Sequence, residues 1–480
     1  MHIVLPLMCA SPTSFMCHHS SLHAPYLSIY LSIYLSLRSI APTLAGVVLG
    51  LLWTLNAVSG LTIATPACLY LGFKKSMLLS LTGYAFQVSA LFLAVIIPHE
   101  SSKWAIAVLG SLVAGITSAI WWTAQGIYFE HVSQEIALRL VVDDNDYSSD
   151  TVNNNNSEGV LPIDQIRADL SADWTIIYQG ADVAVFLCIS LLTLSRSIST
   201  VSVIGGLSVV GGVTAALGTT FDSIESDDAV EISIADIQRA VVAVPRQYRN
   251  DCRATLLAPF VFGFGISTAM FASYVNSEII SHYLGTDSLG YLEAFSYLIA
   301  IIVAYPYAYI ANNIDNGRDL VIQFGSTAFL LTGLFVLVLN PDTLGTYVVM
   351  FSLKGLYGLG RGVFEGSCRA VYASMFTGED LSTAFSGQTL AAGFSGGLCF
   401  FMFIYLMRTT IGIIVVVNGV LAVLSYFIIM NMTERNSIMS WSVLLGLSII
   451  IPTSSTDGKG DDVANVIHTR DVEIPPIGAA

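Results

Sequence analysis

The sequence predicts an all-α polytopic membrane protein built as two six-helix halves, with eleven clear spans and a first span that is degenerate or replaced. Three observations predict it. The first is composition. Of 480 residues, 54% are hydrophobic and only 11% charged, with a mean hydropathy of +0.71; a soluble globular chain carries about 25% charged residues. The second is the recurrence of apolar stretches of about 20 residues, the length that crosses a bilayer as a helix. The third is an internal repeat. Gly126-Ile-Tyr128 aligns with Ala370-Val-Tyr372 at an offset of 244, preceded by the polar Gln125 and Arg369 respectively; Lys75 in LGFKKSMLL aligns with Arg318 in DNGRDLVI at an offset of 243. Parallel duplication of a six-helix unit is a transporter architecture.

Five regions follow in order. Residues 1–40 are low-complexity sequence. The stretch YLSIYLSIYLSL at 26–37 repeats every four residues, as a TATC tetranucleotide repeat read in one frame would, which points to a faulty gene model or a recent insertion. No lysine or arginine precedes Arg38, so the basic start of a signal peptide is missing. Residues 41–221 form the N-terminal half, with spans near 43–63, 77–97, 104–128, 176–195 and 200–221. Residues 222–254 are a polar cytoplasmic linker. Residues 255–431 form the C-terminal half, with spans near 255–278, 289–311, 319–339, 345–370, 384–407 and 411–431. Residues 432–480 are a tail containing a short apolar stretch, 438–451, which reads as interfacial or re-entrant.

The net charge of −15 resides in connections. Residues 130–173, 222–253 and the tail after Pro452 together carry −14 of it. This acidity argues against nucleic acid as a partner, which demands basic surfaces; the lipid bilayer is the partner the composition requires. DDNDYSSD and NNNNSEG within 130–173 read as disordered. Basic residues orient the chain. Lys74, Lys75, Arg239, Arg246, Arg249, Arg253, Arg318 and Arg435 fall on one side, the cytoplasmic side, once a first span is restored; the opposite loops carry only Lys103, Arg196 and Arg408. Both termini are then inside, as are the sequons at Asn155 and Asn431. The seven cysteines show no CxxC spacing, and His18, His19 and His23 read as part of an unstructured N-terminus, so no metal site and no cofactor are expected.

The stretch AIWWTAQGIYFE at 119–130 is the most specific motif. Trp122, Thr123, Ala124, Gln125, Gly126 and Tyr128 resemble the Trp-Thr-(Ala/Gly)-Gln-Gly-x-Tyr run of the Unc-93-like family, the ion channel regulatory protein type of the major facilitator superfamily. Gly72, Lys74, Leu78 and Tyr84 resemble that family's preceding Gly-(basic)-Leu-x-x-Gly-x-x-Tyr segment. GLGRGVFEGSCRAVYASMF is similar to the tenth-helix segment of algal and protist relatives. The resemblance covers about residues 43–431 and implies the major facilitator fold. It implies that Lys74, Lys75 and Arg318 lie in short loops that staple helix ends at the cytoplasmic face; ordinary loop charge accounts for the same residues. By its chemistry Gly126 admits a close neighbour. Trp121, Trp122 and Tyr128 suit the headgroup level, where a ring has one wet edge. Gln125 is a packing amide or a cavity contact.

The most informative charges are Lys354, Arg361, Glu365 and Arg369 in LKGLYGLGRGVFEGSCRA. Spacings of seven, four and four place them on one helical face. A charge inside a span is costly, so such groups face a cavity or a partner. Counting from Gly345 puts Lys354 near the midplane as a ligand-contacting candidate. Arg361, Glu365 and Arg369 then read as a cytoplasmic gate or a fixed ion network. Gln388 is a further cavity candidate beside helix-packing glycines. Asp182, Glu278 and Glu365 all map toward helix ends, leaving no convincing ion-coupling acid near the midplane.

Two functions remain open. One is a secondary transporter of a small-molecule substrate, rocking between its halves. The other, implied by the resemblance, is a non-transporting regulatory or trafficking subunit of a membrane-protein partner such as a channel or receptor. HExxH and phosphate-loop motifs are absent from the sequence, so no enzyme is expected. The chain is an integral, multi-pass protein of the plasma membrane or an internal membrane.

Overall fold

A helix that is apolar on every face must be covered by protein or by lipid. Such helices dominate the computed structural model of the protein, which describes residues 42–147, 163–195, 234–376 and 378–433. Among the described residues there is no strand. The helices are α1 Pro42–Thr62, α2 Ala64–Ile96, α3 Glu100–Tyr147, α4 Ile163–Ser195 and α5 Ile234–Asn250. They continue as α6 Cys252–Met270, α7 Ser288–Asn313, α8 Gly317–Val338, the single turn α9 Pro341–Leu344, α10 Tyr347–Gly362, α11 Cys368–Met375, α12 Glu379–Met402 and α13 Arg408–Thr433. Two π-helical stretches extend the pattern: Phe271–Leu284 prolongs α6, and Val363–Ser367 joins α10 to α11.

Seven of these stretches are long and apolar enough to cross a membrane. The α4 helix, the broken α10–α11 helix and α12 have the length but carry more polar groups. On α13, Val417, Leu421, Leu424 and Phe427 form an outward row, each more than half exposed, as a lipid-facing stripe requires. The expected span at 200–221, the repeat at 26–37, Arg435 and the stretch 438–451 lie outside the described residues.

Three boundaries differ from the sequence expectation. The helical hydrogen bonds Ile63 N–H to Ser59 C=O and Ala67 N–H to Ile63 C=O, both 2.8 Å, carry α1 straight into α2. The chain reverses instead at Gly72, whose φ of 73° sits inside the α2 range. Its counterpart at an offset of 244 is Asn316, φ 55°, the one non-glycine with positive φ among the described residues. Gly72, with ψ 163°, adopts a conformation that essentially only glycine takes, whereas Asn316, with ψ 25°, is left-handed helical; the repeat-related positions share a positive φ but not a conformation.

The second difference is the acidic connection 130–173. Helix α3 runs on to Tyr147 and α4 begins at Ile163, leaving only 148–162 between them. Glu130, Asp164, Asp169 and Asp173 are tolerated on these helices because they have partners, described below. The third is the linker 222–254, which contains α5. Its Ala240, Val244 and Gln247 are buried and its Arg239, Arg246 and Arg249 exposed. Gln247 Nε2 donates to Asp380 C=O at 3.0 Å, and the Tyr248 hydroxyl to Gly387 C=O at 3.0 Å.

The two halves meet along α1 against α12 and α4 against α7. The first contact depends on small residues. A Cβ on Gly393 would lie 2.7 Å from the Ala57 backbone nitrogen, and one on Gly397 2.8 Å from that of Thr54. This is the close backbone approach that Gly-x-x-x-Gly spacing allows between membrane helices.

Candidate functional site

The cavity of about 170 Å³ at the interface of the halves is lined from both sides. Asn56 of α1, Tyr84 and Gln87 of α2 and Trp122 of α3 face Asn276, Glu293, Arg361, Glu365, Arg369 and Gln388. Aromatic rings fill much of the remaining wall. Phe264 and Phe364 stack there with centroids 3.7 Å apart and planes 8° from parallel.

Broken helix geometry positions the charged groups. The i→i+5 widening over Val363–Ser367 holds Glu365 at the cavity, between Arg361 on α10 and Arg369 on α11. Such π-helical insertions alter the register of side chains and recur at functional sites. Arg361 Nη2 lies 3.6 Å from Glu365 Oε1, and Arg369 Nη2 lies 3.4 Å from Glu365 Oε2. Both are long for a charge-assisted hydrogen bond, which prefers about 2.7–2.9 Å. Arg361 Nε and Arg369 Nη1 are buried with no hydrogen-bond partner. Aromatic faces support the guanidinium groups. Arg361 lies 4.1 Å from the Tyr297 ring centroid, and Arg369 lies 5.3 Å from both Trp122 and Trp174. The last two contacts tie a C-terminal-half cation to N-terminal-half rings.

Lys354 is fully buried and does not reach the cavity wall. Its Nζ donates to Glu293 Oε1 at 2.6 Å and to Asn276 Oδ1 at 2.9 Å. Asn276 Nδ2 donates to the same Glu293 oxygen at 2.6 Å, and the ammonium lies 4.8 Å from the Phe271 ring. An ammonium has three donors; two are used in hydrogen bonds, and the aromatic face covers the group. Lys354 is therefore held behind the wall that Asn276 and Glu293 form, whereas Arg361, Glu365 and Arg369 line the cavity.

The remaining sequence candidates are distributed differently. Gln388 lines the cavity, with its Nε2 3.6 Å from Cys368 Sγ. Gln125 is 1% exposed, lies away from the cavity lining, and its amide has no hydrogen-bond partner. Trp121 and Tyr128 are buried, Tyr128 against Phe73 with centroids 5.3 Å apart. Of the packing and anchoring expected of these rings, Trp121 and Tyr128 show interior packing. A Cβ on Gly126 would lie 2.4 Å from Phe385 Cγ, so this glycine admits a ring from the opposite half. Lys75 is exposed and Lys74 half-buried.

Arg318 crosses to the other half, with Nη2 2.9 Å from Asp164 Oδ2. Asp164 Oδ1 also accepts from Arg167 Nη1 at 2.9 Å, and Arg167 Nε donates to Glu130 Oε2 at 2.8 Å. Burial raises the Asp164 carboxyl, but Arg318 and Arg167 more than offset this and hold it below the ordinary carboxylate value.

Sequence reasoning passed over Glu293 and misplaced Asp182. Glu293 is the lone acid in the apolar run 289–311, a signal of intramembrane function that was present. Asp182 is buried near the middle of α4 because that helix starts at Ile163, well before the expected 176. It lies near Tyr178 and Tyr297.

No family model matches the chain, and no curated protein matches it. Solved structures do. The proton:xylose symporter XylE, a major facilitator superfamily protein, aligns at a TM-score of 0.59 and 9% identity, covering 88% of this chain and 96% of that one. The human organic anion transporter MFSD10 aligns at 0.53 and 13% identity, over 86% of this chain and 96% of its own. The nucleoside transporter NupG aligns at 0.51 and 13% identity, over 87% of this chain and 98% of its own. Identities this low speak to the fold alone: this all-α polytopic chain has the major facilitator fold.

Proposed function

We propose that this protein is a secondary transporter of a small solute, bound in the central cavity and carried by rocking of the two halves. The observation that carries this reading is the position of the cavity. Its polar and charged wall comes from both halves, so relative movement of the halves would open it to either side. Xylose, nucleosides and organic anions appear in the names of the structural neighbours; their diversity selects no substrate. Within the fold we place the chain in the Unc-93-like branch, on the strength of the Trp122–Tyr128 stretch.

A second reading, a non-transporting regulatory or trafficking subunit of a channel or receptor, is favoured by the internal pairing of Lys354 with Glu293 and of both arginines with Glu365. Paired charges need no solute. Thr65 and Ser386 discriminate the two, since their hydroxyl oxygens lie 2.6 Å apart across the halves. A Thr65→Cys, Ser386→Cys pair would staple the halves. A transporter in proteoliposomes should show solute counterflow that oxidation abolishes and reductant restores. Absence of flux across sugars, nucleosides, organic acids and amines, with a membrane partner still bound by the oxidised protein, would sink the transport reading.

A further inference from the structure

We propose that the central cavity takes a small organic monocarboxylate with a planar apolar body, its carboxylate seated between Arg361 and Arg369. The inference deepens the transport reading and rests on the cavity being the solute site.

Charge on the cavity surface is the first ground. Two guanidinium groups line it and share one carboxylate, Glu365. The other acid on the surface, Glu293, is already matched by Lys354 behind it. Asp182 is buried in the surrounding wall near Tyr178 and Tyr297 and does not line the cavity. Counted over the lining side chains alone, the surface carries one surplus positive charge. Two guanidinium groups on one cavity surface favour a bound monoanion.

Unused donors are the second ground. Arg361 Nε and Arg369 Nη1 are buried without partners, and the Glu365 contacts at 3.6 and 3.4 Å leave both guanidinium groups weakly engaged. A guanidinium presents five N–H donors in a planar fork that matches a carboxylate. The third ground is the wall itself. Tyr84, Trp122, Phe264 and Phe364 surround the same space with ring faces, which suits a flat apolar body. An organic cation would meet the arginines as a like charge.

The test is equilibrium binding to the purified full-length protein, read by calorimetry and by thermal stability. Four aromatic probes suffice: benzoate, neutral benzamide, cationic benzylamine and the dianion phthalate. Benzoate should bind at least about tenfold more tightly than benzamide or benzylamine. Arg369→Lys keeps the charge and removes the fork, and should weaken benzoate about tenfold or more. Glu365→Gln leaves two unmatched cations and should move the preference from benzoate to phthalate, a reversal that general loss of structure would not produce. Benzoate binding no tighter than benzamide overturns the proposal. So does benzoate affinity unchanged in both Arg361→Lys and Arg369→Lys. Benzoate binding that follows the charge rule without any flux would uphold this site and sink the transport reading. Flux of a neutral or cationic solute without benzoate binding would do the reverse.

Discussion

Arg318 and Asp164 join the two halves at the end of the bundle that bears the basic loops, with Nη2 and Oδ2 2.9 Å apart. Two further polar contacts run along the same seam between α4 and α7. Asn312 Nδ2 donates to Asp169 Oδ1 at 3.0 Å, and the Tyr305 hydroxyl donates to Asp173 Oδ1 at 2.8 Å. Asp169 and Asp173, four residues apart, share one face of α4, and Asp164 sits in its first turn. Any movement that opens this end must break all three contacts.

Arg318→Ala should make this end of the seam more accessible while costing little stability. The Asp164 side chain is 39% exposed, so screening limits the pair to about 0.2–1 kcal/mol. The pH dependence has a definite sign. Asp164 is held below its ordinary value by Arg318 and Arg167, so its contribution is present above the unfolded carboxylate pKa of about 3.9 and lost as pH falls through the lowered value. Unfolding midpoints of wild type and Arg318→Ala, measured from pH 7 downward, should keep a constant gap to about pH 5 and converge below pH 4.

Lys354→Met alone should be far more damaging than Lys354→Met combined with Glu293→Gln. The single change leaves a buried carboxylate unpaired, at a cost of about 3–5 kcal/mol; the double change removes both charges. Thermal unfolding in detergent of the two variants checks this. Equal losses would mean that Glu293 finds another cation.

Gly126→Val should lose about 1–3 kcal/mol through overpacking, because its Cβ would fall 2.4 Å from Phe385 Cγ and that ring is only 2% exposed. Phe385→Ala in the same chain should recover part of the loss. A double-mutant cycle measures the coupling, expected to exceed about 0.5 kcal/mol.

Gly72→Ala should cost about 1–3 kcal/mol, since φ 73° with ψ 163° is a conformation that essentially only glycine adopts. Asn316→Gly at the repeat-related position should stay within about 0.5 kcal/mol of wild type. Paired melts of the two variants distinguish a backbone requirement from a general intolerance of these loops.

Sequence alone determined that this is an all-α polytopic membrane protein with an internal duplication, and its resemblance to a known family implied the major facilitator fold. The first two conclusions follow from local quantities. Hydropathy over about 20 residues decides insertion, and the 244-residue offset between Tyr128 and Tyr372 reports duplication without any knowledge of contacts. The four charges of 354–369 were legible for the same reason, because charge within an apolar run is conspicuous. Their roles were not. Helical spacing placed Lys354 and Arg361 on one face, but only packing shows that Glu293 and Asn276 enclose the lysine while Trp122 and Trp174 hold Arg369 against the cavity. Burial of Trp121 likewise depends on neighbours from distant segments, which no local pattern encodes. The helical start of α4 at Ile163 was hidden because its acids look like a solvated loop until Arg318, Asn312 and Tyr305 are seen opposite them. A charge is classed as loop, lock or ligand by its partner, and across a membrane bundle the partner is fixed by tertiary structure.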